Sequence, residues 1–161
     1  MILFEVWVDG IPSPQGSKTL TRTGAMIEAA SATGRRKLKN WRKAVTKAAR
    51  DEWAGQEPLA RQPLLMEVHF RMPRPKSRPR DVWHITTPDQ SKLIRSTEDA
   101  LVDAKVIGND SWICQHVPSK RYTAPGTDRS GALIRLRTPA SIVILDLDAE
   151  PEPDGGEPWL S

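Results

Sequence analysis

Alternating and periodic apolar positions divide the chain into six elements. Period-two alternation with β-forming residues predicts four strands, at residues 2–8, 64–72, 112–118 and 131–138. An apolar stripe at helical spacing predicts two helices, at residues 37–54 and 90–104. The resulting order β, α, β, α, β, β predicts an α+β fold, a small mixed β-sheet with two main helices packed on one face.

The segments between these elements lack regular patterning. Residues 17–36 are small and polar and are expected to form a mobile loop. The Pro-Arg segment, residues 73–80, contains three prolines, which favour extended backbone and disrupt a strand ladder. Residues 140–145 are apolar enough for a short extra element, and the acidic, Pro/Gly-rich residues that follow predict disorder. We therefore expect one domain over residues 1–139 and an acidic tail over 140–161.

Length and composition limit the class of protein. A chain of 161 residues corresponds to about one domain. Cys114 is the single cysteine, so an internal disulfide is excluded and a reducing cytoplasm is the expected compartment. No apolar run approaches the roughly 18 residues of a membrane span, and the first residues lack the basic start of a signal peptide.

Charge is distributed unevenly along the sequence. All 24 Lys and Arg residues precede position 138, whereas six of the 20 acidic residues follow position 145. A basic body favours a polyanionic partner through counterion release, so we expect a nucleic acid. The candidates for contacts with DNA phosphates are Lys18, Arg35, Arg36, Arg74, Lys76, Arg78 and Arg80.

Candidate chemistry is concentrated between Pro88 and Asp110. Asp89 precedes the second predicted helix, and Asp110 follows it in the sequence Gly-Asn-Asp. Carboxylates near cationic side chains hold divalent metals, and a metal beside a basic surface indicates phosphate chemistry. A helix of about 15 residues is about 22 Å long, however, so the two aspartates share an ion only if the loop folds back or if Asp89 lies within the preceding loop and not at the helix tip.

This segment resembles the core signature of the RusA-type Holliday junction resolvases, small endodeoxyribonucleases of phages and prophages. The resemblance rests on Pro88-Asp89, Leu93, Arg95 and the sequence Asp-Ala-Leu at 99–101, followed by Asp110. Weaker matches follow in the family's order: residues 8–18 with their Gly-Ile-Pro loop, Trp41-Arg42 and the strand end 70–73. The likeness covers roughly residues 4–138.

The resemblance implies a metal-dependent enzyme that cuts four-way or branched DNA in paired symmetric nicks, as a homodimer. Asp89 and Asp110 match metal-binding aspartates of the family, with Mg²⁺ as the expected ion and Mn²⁺ as a substitute. Arg95 stands where the family has a catalytic lysine, and an arginine still stabilises phosphoryl charge. Ser91 and Asn109 stand where the family has further aspartates, and a serine hydroxyl is a much weaker metal ligand than a carboxylate.

Two other interpretations of the Pro88-to-Asp110 segment remain, and Trp83, Cys114 and His116 each raise a separate question. The loss of acidic side chains at Ser91 and Asn109 is also typical of a structure-selective DNA-binding protein that no longer cuts. The Asp-x-Lys sequence at 103–105 fits the pattern of restriction-type nucleases, but it falls at a helix end where that site needs a strand. Trp83 either stacks on an unpaired base or covers the core. Cys114 and His116 lack a zinc-ligand spacing.

Overall fold

A computed structural model describes residues 1–16, 18–20, 26–28, 31–78, 80, 82–127 and 129–140. The strands in chain order are β1 (Ile2–Asp9), β2 (Lys18–Leu20), β3 (Met26–Glu28), β4 (Leu64–Met72), β5 (Ile113–Tyr122) and β6 (Gly131–Arg137). The helices are α1 (Ala32–Trp53), α2 (Gln90–Asp103) and a short 3-10 helix at Asp110–Trp112. Within this described part, the α+β fold predicted from the sequence is confirmed.

Four strands form one mixed sheet in the order β1-β6-β4-β5. β6 pairs antiparallel with both β1 and β4. β4 and β5 are parallel, in a register that places Arg71 beside Arg121 and Met72 beside Tyr122. Because parallel neighbours need a crossover, α2 connects the carboxyl end of β4 to the start of β5 and runs back along the sheet.

Both long helices cover the same face of the sheet. The residues of β4 alternate between buried and partly buried, and Met66, Val68 and Phe70 are completely inaccessible. Trp41 and Val45 of α1 and Leu101 of α2 are buried in the same core. The helices also pack against each other. In the described part of the chain, no helix has the length and hydropathy to cross a membrane.

The strands and long helices differ from the sequence-based prediction by more than one residue at three places. Helix α1 begins at residue 32 because Ser31 accepts a hydrogen bond from the Gly34 backbone N–H at 3.1 Å. The first turn of α1 buries no apolar side chain, so the apolar pattern of the sequence did not predict it. Part of the segment expected to be a loop forms the two-stranded β2-β3 ladder. β5 continues through Pro118, because an edge strand tolerates proline.

The acidic tail lies almost entirely outside the described residues, which end at position 140. The short element at 140–145 and the domain boundary at 139 therefore stay predictions. The uncovered face of the sheet, opposite the helices, carries an ion-pair network. Glu67 is its centre and is bound by Arg135, Arg137 and His69.

Candidate active site

The parallel crossover decides where the two predicted metal-binding aspartates lie. Asp89 precedes α2 and therefore lies near the carboxyl end of β4. Asp110 follows α2 and immediately precedes β5, so it lies near the opposite, amino ends of these two strands. A helix of 14 residues is about 21 Å long. The structure therefore does not bring Asp89 and Asp110 together within one chain.

Asp89 opens into a cavity of about 410 Å³, which we call the Asp89 pocket. It lies between the loop after β1, the start of α1, the end of β4 and the start of α2. Two lysines, Lys37 and Lys92, line it together with the aspartate. Its other lining residues are Ile11, Pro12, Ser13, Pro14, Met72, Thr87 and Pro88.

Asp89 occupies the N-cap position of α2 with extended backbone, but its side chain makes no capping hydrogen bond. One carboxylate oxygen instead lies 3.2 Å from the Nζ atom of Lys92, one helical turn further on. The side chain of Asp89 is 59% exposed. The carboxylate therefore retains accessible oxygens that face a cationic pocket.

The loop after β1 forms one wall of the Asp89 pocket and is fastened to α2. The Gln15 backbone N–H donates to the Lys92 carbonyl at 3.0 Å. The Ser96 hydroxyl lies 2.9 Å from the Ser13 carbonyl, and both serines are buried. Buried polar atoms with partners resist displacement because breaking the bond leaves them unsatisfied. The pocket is thus held by specific bonds between two distant segments.

Lys120 of β5 holds the chain segment that leads into Asp89. Its Nζ donates to the carbonyls of Thr86 at 2.7 Å and Pro88 at 2.6 Å. Burial lowers the pKa of Lys120, and the negative charge of Asp89 partly offsets that effect. The ammonium group therefore adds a third positive charge near Asp89 and fixes the backbone just before it.

Asp110 lines a separate cavity of about 220 Å³ at the other end of α2, the Asp110 pocket. Arg42 of α1 also lines it and forms ion pairs with Asp99 at 3.5 Å and Asp103 at 2.6 Å. Asn109 accepts a hydrogen bond from the Ser111 N–H at 2.9 Å and so caps the short 3-10 helix. Among the described residues, no group of three or more His, Cys, Asp or Glu side chains is arranged to hold a metal.

The other predicted site residues are spread over the surface. Ser91 and Arg95 are exposed on α2, and neither lines the Asp89 pocket. Arg35 and Arg36 are exposed near the start of α1, while Lys18 lies in β2. In the Pro-Arg segment, Lys76 and Arg80 are exposed, and Arg74 and Arg78 are half-buried. Arg74 donates to the carbonyls of Thr123 and Arg78, both at 2.8 Å.

Three lysines beside Asp89 were absent from the sequence-based candidates: Lys37, Lys92 and Lys120. The position of Lys92 three residues after Asp89 was a usable signal, because residues at i and i+3 are neighbours on a helix. Lys37 and Lys120 lie far away in sequence and reach the site only through packing. No pattern within one element could have indicated them.

We compared the chain with known proteins to identify its family. No curated protein matched the chain. The family model described as endodeoxyribonuclease RusA matches residues 9–128, which include the Asp89 pocket and Asp110. Since that match spans well over half of the 161 residues, the chain belongs to the RusA endodeoxyribonuclease family, whose members are DNA-junction endonucleases.

Proposed function

We propose that the protein is a metal-dependent endonuclease that resolves four-way or branched DNA by hydrolysing phosphodiester bonds in paired symmetric nicks. The observation that carries this proposal is the Asp89 pocket. It combines an accessible carboxylate with the ammonium groups of Lys37 and Lys92 at one end of the sheet. A phosphodiester bound there meets both an oxygen ligand for a metal and positive charge.

The donor set suits Mg²⁺, or Mn²⁺ in its place, only if DNA completes it. Mg²⁺ is commonly bound by one or two carboxylates together with substrate phosphate oxygens. Asp89 provides one carboxylate that is not used for helix capping. Ser91 is exposed in the first turn of α2, outside the pocket lining, and we propose its hydroxyl as an additional weak oxygen donor. We therefore expect weak metal binding to the free protein and stronger binding in the presence of DNA.

In the proposed reaction, Asp89 would hold the ion, and the surrounding cations would bind the scissile phosphate. A bound Mg²⁺ supplies Lewis-acid polarisation of the phosphate and a more acidic attacking water. Lys37 and Lys92 stabilise the negative charge that increases on the phosphate oxygens. Lys120 positions Asp89 by holding the carbonyls of Thr86 and Pro88. Arg95 faces solvent on α2, where we propose that it contacts a neighbouring phosphate.

Our proposal that Asp110 also binds the ion requires a second copy of the chain. Within one chain the two aspartates line separate pockets. A homodimer with a two-fold axis suits the two-fold character of a four-way junction. It also offers a route by which Asp110 of one copy joins Asp89 of the other.

Replacement of Asp89 by asparagine tests the proposal. We expect Asp89→Asn to reduce nicking of a labelled four-way junction in Mg²⁺ by at least about 10³-fold, because the metal loses its carboxylate. Binding in a gel shift should stay within about threefold of the wild type, since most DNA affinity comes from phosphate contacts. The matched control is Asp51→Asn, which removes an exposed carboxylate on α1 that pairs with Lys47. Undiminished nicking by Asp89→Asn would contradict the proposal.

A second candidate function is structure-selective binding of junctions without cleavage. Ser91 and Asn109 favour it, because both are neutral at positions where the family resemblance implies aspartates. The wild-type protein decides between the two functions. A junction shifted on a native gel whose strands remain intact in both Mg²⁺ and Mn²⁺ supports the binding protein. Paired nicks support the resolvase, and nicks in Mn²⁺ alone support a resolvase with a weakened site.

A further inference from the structure

A second cationic cavity lies on the sheet face that the helices leave uncovered. It measures about 450 Å³, and we call it the arginine pocket. Four arginines line it, and they come from the ends of different strands and their loops: Arg71, Arg74, Arg121 and Arg129. Trp7 of β1 and Tyr122 of β5 contribute aromatic surface. The pocket is therefore built from residues that only the sheet brings together.

Arg71 and Arg121 place two positive charges side by side. They are register partners on the parallel strands β4 and β5, which are spaced about 4.8 Å apart. Like charges on neighbouring strands destabilise a sheet. Neither guanidinium pairs with a carboxylate in the part of the chain that the structure describes. An anion between them removes this repulsion.

The other two arginines are held in place around the same cavity. Arg74 is fixed by backbone carbonyls, and its guanidinium carbon lies 5.5 Å from the centre of the Tyr122 ring. Arg129 pairs with Asp9 at 3.0 Å and lies 5.0 Å from the ring centre of Trp7. Fixed cations lose little conformational entropy when a ligand binds, which favours affinity.

Aromatic rings accompany these charges. Arg121 lies 4.2 Å from the ring centre of Trp83, and Trp83 remains 54% exposed. Trp7 lies across Gly131, where an added Cβ would come within 2.9 Å of the indole ring. Exposed aromatic rings next to arginines form a stacking platform for nucleobases, which is typical of proteins that bind unpaired strands.

We propose that the arginine pocket binds an unpaired strand of DNA, with a phosphate between Arg71 and Arg121. A base of the same strand stacks on Trp83, which lies outside the pocket lining but against Arg121. This proposal rests on the proposed function, since it extends the DNA contact beyond the Asp89 pocket. The two pockets lie at the same end of β4 but on opposite faces of the sheet. Met72 lines the Asp89 pocket, and its neighbour Arg71 lines the arginine pocket. The chain after β4 carries further exposed cations, Lys76 and Arg80. We propose that a strand leaving the cleavage site passes the end of β4 to reach the arginine pocket.

The test measures binding of a labelled oligothymidylate to the full chain by fluorescence anisotropy, over a range of salt concentrations. We expect the double variant Arg71→Gln/Arg121→Gln to raise the Kd at least tenfold. The slope of log K against log salt should fall by about 1.4, for two lost contacts to a single strand. Trp83→Ala should raise the Kd about tenfold and leave the slope unchanged, whereas Trp83→Phe should restore most of the affinity.

The matched control is Arg61→Gln/Lys105→Gln, which removes two exposed charges near the opposite edge of the sheet. An equal loss of affinity in this control and in the Arg71/Arg121 variant overturns the proposal, because only overall charge then matters. An equal loss for duplex and single-stranded DNA also overturns it. Thermal unfolding of each variant identifies losses of DNA affinity that are caused by misfolding. If Trp83→Ala misfolds, Trp83→Phe still tests the stacking contact.

Measuring junction cleavage together with oligothymidylate binding distinguishes a failure of this proposal from a failure of the proposed function. A wild-type protein that leaves junctions intact, but binds oligothymidylate through Arg71 and Arg121, contradicts only the nuclease assignment and supports the arginine pocket. A protein that nicks junctions, but whose Arg71→Gln/Arg121→Gln variant binds oligothymidylate as the control does, overturns only the arginine pocket.

Discussion

At the scale of single residues, the surroundings of Asp89 differ from those expected of the sequence signature. The signature placed the functional cation at Arg95, six positions after the aspartate. In the folded chain Lys92 approaches Asp89 to 3.2 Å, while Arg95 is exposed outside the pocket. A side chain at i+3 lies over the start of the helix, whereas one at i+6 points to a different side. The side chain of Lys92 is therefore the cation that contacts Asp89, and we propose that it also contacts the scissile phosphate.

We predict that Lys92→Gln lowers the single-turnover cleavage rate about 10²-fold, the usual cost of losing one electrostatic contact in a transition state. Arg95→Gln should lower it only about tenfold, because Arg95 lies outside the pocket. Both variants lose one exposed positive charge on α2, so each is the control for the other. A larger effect at Arg95 would show that DNA brings the phosphate to that side of the helix.

At the scale of elements, Glu67 is the central carboxylate of the ion-pair network on the uncovered face of the sheet. Glu67 on β4 lies between the cations of β6 and is only 15% exposed. Arg135 approaches it to 3.1 Å and Arg137 to 2.8 Å. A hydrogen bond from His69, followed by the charges of Arg137 and Arg135, lowers the pKa of Glu67 below its ordinary value of 4.5. Without Glu67, Arg135 would keep its pair with Glu5, but Arg137 would lose its carboxylate partner.

We predict that Glu67→Gln lowers the free energy of unfolding by roughly 2 kcal/mol near neutral pH, since bonds to charged groups contribute about that much. A depressed carboxyl pKa gives stability that is complete above pH 4.5 and is lost as pH falls through the folded-state pKa. The difference in free energy of unfolding between variant and wild type, measured in urea, should therefore become smaller as the pH falls. Glu52→Gln, an exposed change on α1, should show no such gap at any pH.

At the scale of the whole molecule, the crossover through α2 separates the two aspartates that the signature pairs. Because β4 and β5 are parallel, α2 must run from the carboxyl end of β4 back to the amino end of β5. Asp110 consequently lies beside Arg42, in a pocket of its own. A shared metal therefore requires two chains, and a mixture of inactive variants can reveal this.

We predict that mixed dimers of Asp89→Asn and Asp110→Asn chains recover cleavage at one site per dimer. In such a dimer one composite site loses both aspartates, and the other keeps both. Differently tagged chains, purified together, should nick one strand of a labelled junction but not the symmetric pair. Each variant alone should be inactive. Inactive mixed dimers beside an active wild-type dimer would contradict a site shared between chains.

The sequence by itself determined the four strands of the main sheet, the two long helices and the family. Alternation along β4 and the apolar stripes of both helices are local, because each reflects one face of one element turned to the core. For that reason β4 matched its predicted bounds of 64–72 and α2 its bounds to within one residue. The Pro88-to-Asp110 segment was likewise readable, since a signature depends only on spacing along the chain.

Only the tertiary structure decided which charged groups meet. Whether two aspartates 21 positions apart converge depends on strand order and direction, and β4 and β5 proved to be parallel neighbours. Lys37 and Lys120 reach the vicinity of Asp89 from α1 and β5, and Arg71 meets Arg121 across two strands. Such contacts join segments far apart in sequence, so they follow from packing of the sheet and not from any local pattern.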